Sequence, residues 1–118
     1  MRISDEPAMG HHVLLNLYDC DESRLSDLAG FEGFADSLLP GCNAQVLNRL
    51  GHQFSGMGDG FTSLYLLTTS HFSVHSWPEY CSAAVDIFTC GAVDTDEIVK
   101  KIVMYFRSSR HSLSDVLR

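Results

Sequence analysis

Apolar residues crowd the segment 11–20, HHVLLNLYDC, over a strand's length and among Val, Leu and Tyr, which predicts a buried strand. Over 21–39 the spacing changes. Leu25, Leu28, Phe31, Ala35, Leu38 and Leu39 recur at three- and four-residue intervals, the stripe of a helix. Asp21 stands at the N-cap position, and PGCN at 40–43 stops the run. Strand-type segments follow at 44–54, 61–69, 71–77 and 81–89. The loop SGMGDG (55–60), with three glycines, separates the first two of these, and Pro78 ends the third. Helical spacing returns over 94–109, where Ile98, Val99, Ile102, Val103 and Phe106 form the buried stripe and Asp94 with Glu97 resembles a capping box. The polar tail, 110–118, predicts a loose end.

The resulting order, β-α-β-β-β-β-α, predicts an α+β fold, a two-layer sandwich of a mostly antiparallel sheet with helices on one face. The bare face of that sheet needs cover. A second copy of the chain is the simplest cover, so sheet faces paired in a homodimer are expected. The 118 residues fit one domain, 1–118, without internal repeats or low-complexity segments.

Composition narrows the partners. Hydrophobic residues make up 45% and charged residues 19%, the balance of a globular chain. The net charge of −7 argues against nucleic acid or an anionic membrane surface and suits a cationic small substrate. No apolar run reaches the roughly 20 residues that span a bilayer, and the polar start MRISDEPAMGHH lacks a signal-peptide core, so a cytoplasmic location is expected. Cys20, Cys42, Cys81 and Cys90 form no CxxC pair and are expected as free thiols.

The chemistry concentrates in TTSHFSVHSWPEYCSAAVDIFTCG, residues 68–91. Strand alternation turns His71, Ser73, His75 and Trp77 to one face and Phe72, Val74 and Ser76 to the other. A half-buried strand with polar groups toward a loop or partner accounts for that pattern without any chemistry. A metal site of His71, His75 and Cys90 is disfavoured, because histidines four residues apart on a strand lie about 13 Å from each other. No metal site is therefore expected. Cys90, just before Gly91 at a strand end, fits an exposed, activated thiol, or else a small core residue.

The run SHFSVHSWPEYCSAAVDIFTCG resembles the core motif of the prokaryotic S-adenosylmethionine decarboxylase proenzymes, with a serine, a histidine five residues on, Trp-Pro-Glu, and a Phe-Thr-Cys-Gly ending. GHHVLLNLYDCD (10–21) and HQF (52–54) extend the likeness across most of residues 10–91. The resemblance implies an enzyme that makes its own cofactor. Ser70 would attack the Thr69 carbonyl, the ester would undergo β-elimination, and a pyruvoyl group would remain at position 70. The chain would become 1–69 and 70–118.

It further implies His75 as the processing base and Thr62, beside Ser63, as the assisting hydroxyl. The pyruvoyl group would form a Schiff base with the substrate amine and act as an electron sink, with Cys90 as the proton donor. Phe54 and Trp77 match adenine-stacking positions, with plain core packing as the other reading. Glu79 matches a ribose-binding position and would equally hold an ammonium group. Asp86 reads as structural support.

Two departures from the family pattern stand out. Thr69 replaces the usual Glu before the serine, and the 55–60 loop is about two residues longer than usual. The implied activity is decarboxylation of S-adenosylmethionine for spermidine biosynthesis. The same chemistry on ornithine or arginine, or an unprocessed regulatory paralogue, are the alternatives.

Overall fold

Six strands and three helices make up the described residues, 7–56 and 58–118, of a computed structural model. Residues 1–6 of the polar N-terminal segment and Met57 of the 55–60 loop lie outside them. In chain order the elements are β1 (His11–Tyr18), α1 (Glu22–Leu25), α2 (Leu28–Gly41), β2 (Val46–Gln53), β3 (Phe61–Leu67), β4 (Ser70–Trp77), a 3-10 turn (Pro78–Tyr80), β5 (Ser82–Thr89), α3 (Thr95–Tyr105) and β6 (Arg110–Leu117). The strands form one antiparallel sheet in the order β2-β3-β4-β5-β1-β6. The helices lie on one face, so the chain is an α+β two-layer sandwich. No helix among the described residues is long and apolar enough to cross a membrane.

Alternation along the strands builds the core. Val13, Leu15 and Leu17, Tyr65 and Leu67, Phe72 and Val74, and Val85 and Ile87 are all buried on the helical side. The helices contribute Leu25, Phe31, Ala35, Leu39, Ile98, Ile102 and Phe106. Phe31 is the hub, with ring centroids 5.4 Å from Phe61, 6.2 Å from Phe72 and 5.6 Å from Phe106. The opposite face stays bare. Leu14, Leu50, Leu64 and Leu66 are each at least 41% exposed there, an apolar patch of the kind that marks an interaction surface.

Three expectations change. The 21–39 stripe is two helices, because Ser26 ends the first and Asp27 caps the second by accepting from the Gly30 N–H at 2.9 Å. A continuous apolar stripe hides that break, since Leu25 and Leu28 face the same core on either side of it. PGCN does stop that second helix, as expected, two residues beyond Leu39. Pro40 and Gly41 belong to the last turn, and Asn43, in the left-handed region at φ 65°, ends the run.

The tail is no loose end. It is β6, paired with β1 from Arg110–Tyr18 to Leu117–His11. Every β6 side chain is exposed, so nothing in its apolar pattern announces a strand. The backbone ladder, the His11–Asp115 contact (3.1 Å) and Arg110 over the Tyr18 ring (4.5 Å) hold it. The last helix correspondingly ends at Tyr105 rather than 109.

Burial raises several acidic protons of the folded chain. It pushes the Cys20 thiol from its ordinary 9.0 up to about 11. Desolvation also raises Cys42, Tyr105 and Tyr65, the last helped by its bond to Asp36. A group whose folded value lies above its unfolded value stabilises fully below the unfolded value and loses that contribution as pH rises through the folded one. The unfolding midpoint should therefore fall between about pH 9 and about pH 11, where Cys20 ionises, and less steeply in Cys20→Ala. Thermal melts followed by circular dichroism across that window check this, and a flat profile refutes it.

Candidate active site

Thr68 and Thr69 form the turn between β3 and β4, closed by the Leu67–Ser70 pairing. Thr69 sits in the left-handed region at φ 50°. For a β-branched residue that conformation costs about 1–2 kcal/mol. Its neighbour is anchored twice, since the Thr68 N–H donates to the Gln45 carbonyl (3.1 Å) and its hydroxyl to Gln45 Oε1 (3.0 Å). The strained turn carries the Thr69 hydroxyl to 2.8 Å from Cys90 Sγ. The Thr69 carbonyl oxygen lies 3.6 Å and the Ser70 hydroxyl 3.9 Å from the same sulfur. Ser70, Thr69 and Cys90 thus meet at one end of the sheet. Gly91, at φ 71°, turns the chain away just after the thiol.

A cavity of about 480 Å³ opens beside Cys90, walled by Met9, His11, Thr89, Asp94, Asp96 and Asp115. Its acidic rim suits a cationic ligand. The start of α3 is tied to it, as the Thr89 and Thr95 hydroxyls pair at 2.9 Å.

The remaining sequence-derived residues gather at the far end of β4. Thr62 Oγ1 and His75 Nδ1 are 2.9 Å apart, paired across β3 and β4. Ser63, the neighbouring hydroxyl, faces the core, fully buried and without a partner. Thr62 is therefore the hydroxyl available to His75. A cleft of about 410 Å³ joins this pair to Phe54, Trp77 and Glu79. Phe54 and Trp77 are 49% and 43% exposed, so their rings are open to a ligand rather than packed in the core.

The two clusters do not meet within one chain. Ser70 shares the helical face with Phe72 and Val74, whereas His75 and Trp77 lie on the bare face. Five residues along a strand span about 16 Å. His75 cannot reach the Thr69–Ser70 bond of its own chain. No group of three or more His, Cys, Asp or Glu side chains among the described residues is arranged to hold a metal ion.

Several contributors carry no sequence signature. The Gln53 amide accepts from the Leu28 N–H (3.0 Å) and donates to the Asp59 and Gly60 carbonyls (2.8 and 3.2 Å), tying the 55–60 loop to the start of α2. Gly58 (φ 95°) lies against the Glu79 carboxylate, where a β-carbon would collide. His12 Nε2, buried and without a hydrogen bond, stands 3.4 Å from the Asp86 carboxylate on the neighbouring strand. Only the period-two pattern of β1 and β5 could have suggested that pairing.

Comparison with known proteins bears on this arrangement. A family model described as S-adenosylmethionine decarboxylase matches residues 11–118. The chain is 33% identical over 111 residues to an S-adenosylmethionine decarboxylase proenzyme of Methanococcus aeolicus, covering 93% of each chain. It is 39% identical over 111 residues to one of Parasynechococcus marenigrum, covering 93% of this chain and 85% of that one. Its fold matches the crystal structure of the adenosylmethionine decarboxylase from Aquifex aeolicus with a TM-score of 0.86 at 24% identity, over 96% of this chain and 92% of that one.

Gly60 offers a test of the cleft's geometry. A β-carbon there would run into the backbone carbonyl of Ser76, which cannot swing aside as a side chain can. Gly60→Ala should destabilise the fold by about 1–3 kcal/mol through overpacking. Urea unfolding measures this, and a loss below about 0.5 kcal/mol, the scale of an ordinary surface change, contradicts it.

Proposed function

The chain belongs to the S-adenosylmethionine decarboxylase family, and from that premise we propose that it is a self-processing, pyruvoyl-dependent enzyme that decarboxylates S-adenosylmethionine for spermidine biosynthesis. The observation that carries the reading is the cluster at the start of β4, where the Thr69 carbonyl and the Ser70 hydroxyl lie within 3.9 Å of the Cys90 thiol. Those groups fit the generation of a pyruvoyl end group.

Ser70 Oγ attacks the Thr69 carbonyl carbon, and the amide bond gives way to an ester. Removal of the Ser70 α-proton then breaks the Ser70 Cβ–O bond, leaving a carboxylate on Thr69. Water hydrolyses the dehydroalanine that remains, and ammonia leaves. The single domain 1–118 becomes chains 1–69 and 70–118, held together by the β3–β4 ladder. When formed, the pyruvoyl group supplies the carbonyl for the substrate amine and the electron sink for decarboxylation. Cys90 supplies the proton that replaces the departing carboxyl group. The acidic groups around the cavity favour a cationic substrate.

The other residues act from a second copy. His75 with Thr62, and Phe54, Trp77 and Glu79, lie a strand's length from Ser70. A two-fold axis between the bare faces and perpendicular to β4 would set β4 antiparallel to its partner and bring the Thr69–Ser70 turn of one copy to the His75 end of the other. The apolar face of Leu14, Leu50, Leu64 and Leu66 supplies the burial. His75 Nδ1 is occupied by Thr62, which leaves Nε2 for the ester. Phe54 and Trp77 stack the adenine, and Glu79 takes the ribose hydroxyls.

One observation favours a second reading. Gly58 lies against the Glu79 carboxylate, so the longer 55–60 loop reaches the residue that would hold the far end of a substrate. Glu79 would then pair with the distal cation of ornithine or arginine. Comparing kcat/KM for the three substrates decides between the readings, and a single uncut chain by intact mass would instead mark an unprocessed paralogue.

The wild type should yield two chains by intact-mass measurement, and Ser70→Ala one. Cys90→Ala should still be cut but lose about 10²–10⁴-fold in turnover. A wild-type protein that decarboxylates while uncut refutes the mechanism.

Mixing tests the shared site. Neither Ser70→Ala nor His75→Ala should cut itself alone. When they are co-expressed, the His75→Ala chain should be cut, because its Ser70 meets the His75 of the other variant. Absence of cutting in co-purified mixed dimers sinks the two-copy arrangement.

A further inference from the structure

Thr69 is more than the residue upstream of the break. Its hydroxyl has one proton and two close neighbours. The Thr68 carbonyl oxygen, 2.7 Å away, can only accept, so that proton goes there. The 2.8 Å contact with Cys90 Sγ is left for the thiol proton to fill. The Cys90 S–H therefore points at Thr69, with the Thr69 carbonyl oxygen as the next acceptor at 3.6 Å. The turn that carries this contact holds a β-branched residue at φ 50°, where Gly or Asn is usual, an outlier of the kind that accompanies a functional constraint.

Resting on the decarboxylase reading above, we infer that Thr69 is a positioning residue for Cys90, first through its hydroxyl and, once the 69–70 bond is cut, also through the carboxylate left on the same residue. The anchors of this turn do not depend on the bond that breaks. Thr68 stays tied to Gln45 through its N–H and its hydroxyl, and φ of Thr69 belongs to a bond upstream of the cut. The new C-terminus is thus held beside the thiol that must deliver a proton. Cys90 keeps an acceptor for its proton before and after processing, and its sulfur is aimed along one direction rather than free among rotamers.

Three variants separate the hydroxyl from the backbone. Thr69→Val keeps the shape and the β-branch and removes the hydroxyl. Thr69→Ser keeps the hydroxyl. Thr69→Gly removes the side chain and frees the backbone. In cleaved protein, Thr69→Val and Thr69→Gly should lower kcat roughly tenfold, the scale of one well-made hydrogen bond, with KM little changed, while Thr69→Ser stays near wild type. A second measurement needs no cleavage. In the Ser70→Ala background, iodoacetamide labelling of Cys90, followed by peptide mass spectrometry, should run roughly threefold or more faster with Thr69→Val, because the paired thiol is released. Equal labelling of Cys90 with and without the Thr69 hydroxyl overturns the pairing. Equal kcat in cleaved Thr69→Val and wild type overturns its role in turnover. A wild type that stays uncut defeats the decarboxylase reading, while the labelling arm still decides the contact.

Discussion

The turn at Thr68–Thr69 sets the register of the central strand. Leu67 pairs with Ser70, and every side chain of β4 takes its face from that pairing. A slip of one residue would send Ser70 to the bare face and His75 into the core. Two-residue turns between antiparallel strands favour left-handed backbone, usually supplied by Gly or Asn. Here a threonine supplies it at a cost, and the twofold tie of Thr68 to Gln45 holds it there. The same turn contains the bond that the proposed processing would break, so the joint that builds the sheet would also be its reactive point.

From that register follows the division of the site. One strand end carries Ser70 beside Cys90, and the other carries His75, Trp77 and the approach to Glu79. The strand between them is a rigid spacer of about 16 Å. A single chain can hold either half in good geometry but not both around one bond. The apolar face that needs cover is the one from which His75 and Trp77 project. In the proposed two-copy arrangement, stability and catalysis would draw on the same contact, which suits a chain of only 118 residues.

The 55–60 loop sits on the second half. Gln53 pins it to α2, and Gly58 lies on the carboxylate of Glu79. The departure from the family's loop length therefore falls beside Glu79, at the cleft that also holds Phe54 and Trp77. The departure at Thr69 falls on Cys90 instead, through their 2.8 Å contact. The two unusual features of this sequence thus lie at opposite ends of β4.

Much of this was legible in the sequence because it depends on local periodicity. The alternation of 71–77, the helical stripes of 21–39 and 94–109, the caps at Asp21 and Asp94, and the motif around Ser70, His75 and Cys90 are properties of neighbours along the chain. The break at Asp27 was hidden because both helices present apolar residues to one core. β6 was hidden because an edge strand with every side chain exposed is held by backbone pairing, which leaves no trace in residue type. The choice of Thr62 over Ser63 needed the register of β3 against β4. The aim of Thr69 at Cys90 and the tie of Thr68 to Gln45 needed the whole sheet. Those distances are set by how strands stack across the fold, and spacing along the chain does not encode them.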